Sequence, residues 1–160
     1  MKNKLNNYAF IDSQNLHLAI KNQSWEIDFA RFRKYLSDKF NVTKAFLCIG
    51  YVPNNQGLYT DLQKDGYILI FKPTLILPSG KVKGNVDAEL VLQTMIEWEN
   101  FDKCVIVTGD GDFHCLVKYL VKKEKLAYLV IPNKYKFSSL LKKFNKYITF
   151  LNGTKKKIGK

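Results

Sequence analysis

Three stretches of this 160-residue chain place carboxylates where they could meet a divalent cation. Thr108-Gly109-Asp110-Gly111-Asp112-Phe113 follows the apolar run Val105-Ile106-Val107, so two acids two positions apart stand on a loop whose glycines leave the backbone free to turn. Asp12 closes another strand-like run, and Asp87 opens a helical pattern. Hard oxygen donors of this kind suit Mg²⁺ or Mn²⁺, and a metal held by a few carboxylates is a common means of cleaving phosphate esters. Each acid alone also has a structural reading. Asp12 or Ser13 could cap a helix, Asn85 and Asp87 could cap and charge-complement the next one, and the segment from Gly109 to Asp112 could be a plain turn. Four unrelated caps need not share one edge of a sheet, and like charges gathered together cost free energy unless a cation neutralises them. Asn15, one helical turn beyond Asp12, could orient an acid or a phosphate oxygen. Thr108 could bond the loop backbone or a ligand.

The elements that must bring these acids together follow from periodicity. Strand-like runs occur at Tyr8–Asp12, Lys44–Val52, Tyr67–Lys72, Lys103–Thr108 and Leu126–Ile131, with a weaker sixth at Tyr147–Leu151. Helical spacing fills the gaps, including Asp28–Phe40 through Phe29, Phe32, Leu36 and Phe40, then Val86–Trp98 and Phe113–Val121. Alternation of this kind predicts a mainly parallel sheet with helices on both faces, joined by right-handed crossovers. With strand order 3-2-1-4-5 and a possible sixth strand, strands one and four are neighbours at the switch point, where ligands bind beyond the carboxyl ends. Asp12, Asp110 and Asp112 then meet across that point, and Asp87 enters from the start of the helix that feeds strand four. Between Lys72-Pro73 and Lys83 the rhythm breaks, and a short hairpin or loop is expected.

Composition bounds the class. The chain is 46% apolar and 14% aromatic, enough for one domain with a proper core, here placed at residues 1–152, with 153–160 as a disordered basic tail. A net charge of +12 favours a polyanionic partner, although lysine supplies all but Arg31 and Arg33 of the 26 basic residues and coding bias alone yields such a pattern. Cys48, Cys104 and Cys115 are odd in number and sit in apolar surroundings, so buried free thiols are expected rather than disulfides or a zinc site. The sequence carries no membrane-spanning run and no secretory apolar region, so a cytoplasmic protein without membrane contact is expected. A homo-oligomer is compatible with it.

At the acidic segments the chain resembles the NYN family, PIN-like ribonuclease relatives that include LabA-like proteins. Phe10-Ile11-Asp12-Ser13-Gln14-Asn15 is similar to the family's D-x-x-N motif on strand one, Lys83-Gly84-Asn85-Val86-Asp87-Ala88-Glu89-Leu90 to its K-G-x-V-D-x-x-L segment, and Thr108–Phe113 to its S/T-G-D-x-D-F motif. The resemblance implies a PIN-like, Rossmann-like three-layer α/β fold. It implies a metal site of Asp12, Asp87, Asp110 and Asp112 with Asn15 alongside, and a lysine, Lys83, facing phosphate. Two positions depart from the pattern: Gln93 and Asn145 stand where relatives often carry aspartate.

The resulting expectation is a Mg²⁺- or Mn²⁺-dependent ribonuclease that hydrolyses single-stranded or structured RNA and leaves a 5′-phosphate. Lys81, Lys83 and Thr108 are the candidate substrate contacts. Tyr51 and Phe113 are candidate stacking surfaces whose ordinary role is core packing. Metal-free acid–base chemistry by His17 and His114 is a weaker rival. A haloacid-dehalogenase-like phosphatase needs D-x-D after strand one, where Asp12-Ser13-Gln14 stands. The non-enzymatic alternative is a catalytically weak or inactive RNA-binding or assembly module of the same fold.

Overall fold

The computed structural model describes residues 5–83 and 86–160, and of Val82 and Lys83 the backbone alone. The chain begins with β1 (Asn7–Asp12), whose six residues are all buried. Alternation within it sorts the core: Ala9 and Ile11 join one apolar cluster, Tyr8 and Phe10 the other. Two buried faces on one strand require a covering layer on each side of the sheet.

Helices α1 (Ser13–Lys21) and α2 (Phe29–Phe40) supply most of the first layer. Helix α2 buries Phe32, Tyr35, Leu36 and Phe40, the stripe that its three-and-four spacing predicts. Its start is capped by Asp28, whose Oδ1 accepts from Arg31 N at 3.1 Å, and its end by Asn41 in the left-handed region at φ 56°. The opposite layer is built by α4 (Asp87–Ile96), α5 (His114–Lys122) and a 3₁₀ segment, Ser139–Tyr147. Leu90 of α4, Leu116, Val117 and Leu120 of α5, and Leu141 and Phe144 of the 3₁₀ segment enter the second cluster.

Between these layers six strands pair in the order β3-β2-β1-β6-β7-β8, where β2 is Val42–Tyr51, β3 Tyr67–Pro73, β6 Cys104–Val107, β7 Leu126–Ile131 and β8 Ile148–Phe150. Every adjacent pair is parallel. Counted within the sheet, the order is the expected 3-2-1-4-5 with the sixth strand at the far edge. The second crossover, through α3 (Gln56–Lys64), links β2 to β3. The interruption after β3 is a two-stranded antiparallel hairpin, β4 (Leu75–Ile76) with β5 (Val82–Lys83), closed near Gly80 at φ 82°.

Two expectations change. Residues 153–160 are not a free tail: α6 (Lys155–Ile158) packs on α2, Ile158 is buried, and Ile27 bridges Gly159. One apolar residue among the lysines explains the docking, because Ile158 fills the first cluster while the lysines stay exposed. Cys48 and Cys104 are buried, whereas Cys115 lies on the outer face of α5 and is exposed. Among the described residues no helix is long and apolar enough to cross a membrane.

Candidate functional site

Asp12 occupies two roles at once, as the last residue of β1 and the N-cap of α1. Its Oδ1 accepts from Asn15 N at 3.2 Å, and its Oδ2 accepts from the Thr108 hydroxyl at 3.0 Å. The side chain is buried, and burial pushes its carboxyl above the ordinary value. The two hydrogen bonds oppose that shift, while nearby Asp110 adds to it.

The loop after β6 is tied to Asp12 by a relay. Thr108 is fully buried, and its hydroxyl both donates to Asp12 and accepts from Asp110 N at 3.1 Å. Asp110 Oδ1 in turn accepts from Asp112 N at 2.9 Å and caps a short 3₁₀ turn, Gly111–Phe113. Asn15 completes the frame from the α1 side, its Oδ1 accepting from Gly109 N at 2.8 Å. Thr108, expected as a substrate contact, is therefore sealed inside as a positioning residue, and Asn15 holds the loop that carries Asp110.

The loop glycines have a different cause from the one their sequence suggests. Neither Gly109 nor Gly111 is among the residues with positive φ. What each position requires is closeness: a Cβ on Gly109 would stand 3.2 Å from Phe137 Cβ, and one on Gly111 2.8 Å from Ser138 Cβ. Ser138 N also donates to Gly109 O at 3.0 Å. The segment at Phe137 and Ser138 thus supports the acidic loop, a role that no local motif announced.

Asp87 arrives from the other side as the first residue of α4, where a carboxylate also complements the helix dipole. One carboxylate oxygen from each of Asp12, Asp87 and Asp110 lies within 4.8 Å of the other two. Oxygens on opposite sides of a Mg²⁺ ion are about 4 Å apart, so small side-chain rotations would close the group on a hard cation. Among the described residues, no ion pair engages Asp12 or Asp110. Acidic and all-oxygen, with Asp12 buried and the other two half-buried, the trio fits such an ion.

The remaining candidates are more dispersed. Asp112 is exposed and stands outside the trio. Lys81 is exposed on the β4–β5 hairpin, while the Lys83 side chain, Gly84 and Asn85 lie outside the described residues. Phe113 is core, and Tyr51 packs its ring against Tyr59 and Phe71 at the end of β2. The Gln93 amide donates to Glu97, the C-cap of its own helix, at 3.3 Å, and Asn145 is exposed on the 3₁₀ segment. His114 Nδ1 donates to Gly111 O at 3.2 Å, so this imidazole braces the loop, whereas His17 is exposed on α1. Sequence reasoning passed over Glu89. Its carboxylate lies 3.9 Å from Lys72 Nζ and, with burial and Asp12, helps push the Cys48 thiol up to about 12.

Comparison with known proteins now bears on this arrangement. Residues 8–152 match the NYN domain, a span that runs from the second residue of β1 to beyond β8 and contains the acidic trio. The chain belongs to the NYN domain family. A solved protein of unknown function from Vibrio parahaemolyticus shares 18% identity with this NYN domain and superposes with a TM-score of 0.79 over 100% of both chains, which shows the common fold. No curated protein matches the chain. The family is one of PIN-like nucleases, and the trio at the switch point of this NYN domain is compatible with metal binding.

Proposed function

We propose that this NYN domain is a Mg²⁺- or Mn²⁺-dependent ribonuclease acting on RNA phosphodiester bonds in the cytoplasm. The observation that carries the reading is the convergence of Asp12, Asp87 and Asp110 from three separate elements on one point at the carboxyl edge of a parallel sheet. These three would hold the ion, and Asp112, exposed beside them, would face incoming water or a second ion. A bound divalent cation would supply charge stabilisation at the phosphate and a more acidic water. Asp87 would orient that water. Water adds to phosphorus, the P–O3′ bond breaks, and the products are a 3′-hydroxyl and a 5′-phosphate.

The chain's own residues do the positioning. Thr108 and Asn15 fix Asp12 and the Asp110 loop by hydrogen bonds already in place, so little reorganisation is needed when charge develops. Lys81 and Lys83, on the hairpin that precedes α4, would grip flanking phosphates, and the net charge of +12 would steer the polyanion in. The second reading, an RNA-binding module with little or no cleavage, draws support from the position of Asp112 outside the trio.

Labelled single-stranded and structured RNA, incubated with Mn²⁺, tests both. Cleavage by the wild-type protein should fall at least about a hundredfold in Asp12→Asn and vanish in excess EDTA. Equal cleavage by the two proteins, or full cleavage in EDTA, would overturn the ribonuclease reading. RNA binding with neither cleavage nor calorimetric Mn²⁺ binding that is lost in Asp110→Ala would establish the binding module instead.

A further inference from the structure

A cavity of about 490 Å³ borders the acidic site on its β2 side. Ser13 and Val86, the chain neighbours of Asp12 and Asp87, form part of its wall, so two of the three acids lie one residue away. Its volume falls within the roughly 300–1,000 Å³ of small-molecule sites. The interior is apolar, with Leu16, Ile27, Ile49 and Leu62 as lining, and the exposed side chains of Gln14 and His17 stand at its edge. Helix α1 therefore starts from the capping acid and carries the polar rim. Among the described residues the charged groups that line the cavity, Glu26 and Lys160, pair with each other at 3.5 Å. Those residues offer an anion no unbalanced cation, so the phosphate itself is not the expected occupant.

A flat group with apolar faces and a hydrogen-bonding edge does match this lining. A nucleobase is such a group, and only an unpaired one has free faces and a free edge. We propose that the cavity takes one unpaired nucleobase of the strand whose scissile phosphate sits at Asp12, Asp87 and Asp110, which makes the domain a reader of single-stranded RNA. This assignment rests on the ribonuclease reading for the position of the phosphate. The apolar walls cover the faces of the base, and the Gln14 amide and the His17 imidazole meet its edge. Structured RNA would be cut at loops and ends, where a base can leave its stack.

Binding in EDTA separates the cavity from the chemistry. Short single strands carrying 2-aminopurine at one position are titrated with the protein, beside the same strands made abasic at that position. The wild-type protein should bind the intact strand about tenfold more tightly and change the 2-aminopurine emission on binding. Leu58 lines the cavity and is already 46% exposed, so Leu58→Trp should fill the space without disturbing the core. That variant should lose the preference for the intact strand, and Gln14→Ala should weaken it. Equal affinity for intact and abasic strands at every position, a preference undiminished in Leu58→Trp, or no binding of either strand would overturn the proposal. A clear preference without Mn²⁺-dependent cleavage would leave the base site standing and defeat the ribonuclease reading instead.

Discussion

Asp12 is held as a buried acid beside a like charge, and its two hydrogen bonds do not fully offset the loss of water. Its carboxyl titrates above the unfolded value of 3.8 in the folded protein. Folding therefore favours the protonated form: the contribution is full below the unfolded value and is lost as pH rises through the folded one. Without metal, Asp12→Asn should melt a few degrees higher than wild type at neutral pH, the size that about 1 kcal/mol produces in a chain of this length. The gain should shrink as pH falls toward 4, and Mn²⁺ should stabilise the wild type but not the variant. A thermal melt series in EDTA and in Mn²⁺ checks this, and a variant less stable than wild type at pH 7 would contradict it. At this scale each acid carried a cap or turn reading beside the metal one, and it is the approach of Asp12, Asp87 and Asp110 in space that sets those three apart. The sequence said less about Thr108 and Asn15, whose hydroxyl and amide could as readily have faced a ligand. Only the distances commit them to the loop.

The acidic loop depends on an element far from it in sequence. Gly111 lies against Ser138, whose hydroxyl accepts from Leu140 N at 3.2 Å and so caps the 3₁₀ segment before β8. A methyl group at residue 111 would push that cap away or shift Asp110. Gly111→Ala should cost about 1–3 kcal/mol in urea unfolding, the usual range for overpacking. It should also weaken Mn²⁺ binding, since Asp110 caps the turn that Gly111 begins. Unchanged calorimetric affinity in a folded Gly111→Ala protein would show that the loop absorbs the strain elsewhere. The strands and long helices were legible because β1 buries a continuous apolar-rich run and α2 a periodic stripe. The contact between residues 111 and 138 was not, because a close approach across the fold leaves no local period, only a glycine with two readings.

For the molecule as a whole, the all-parallel sheet explains why three acids far apart in sequence share one edge. Each crossover returns the chain to the same side, so strand ends and helix starts accumulate there. Strand order was recoverable from alternation and the switch-point rule, whereas the seating of the last residues was hidden by lysine-rich composition. Ile158→Ala should lower stability by about 2 kcal/mol or more, read from urea unfolding, because the side chain is wholly buried among core residues. A change near zero would mean that α6 frays in solution. The carbonyl of Ile158 accepts from Asp28 N at 2.8 Å, and Asp28 is the residue from which α2 starts, next to Ile27 in the cavity wall. Deuterium uptake at the Asp28 amide therefore becomes a clock for how often the final turn lifts away, and with it how often that wall is left unbraced.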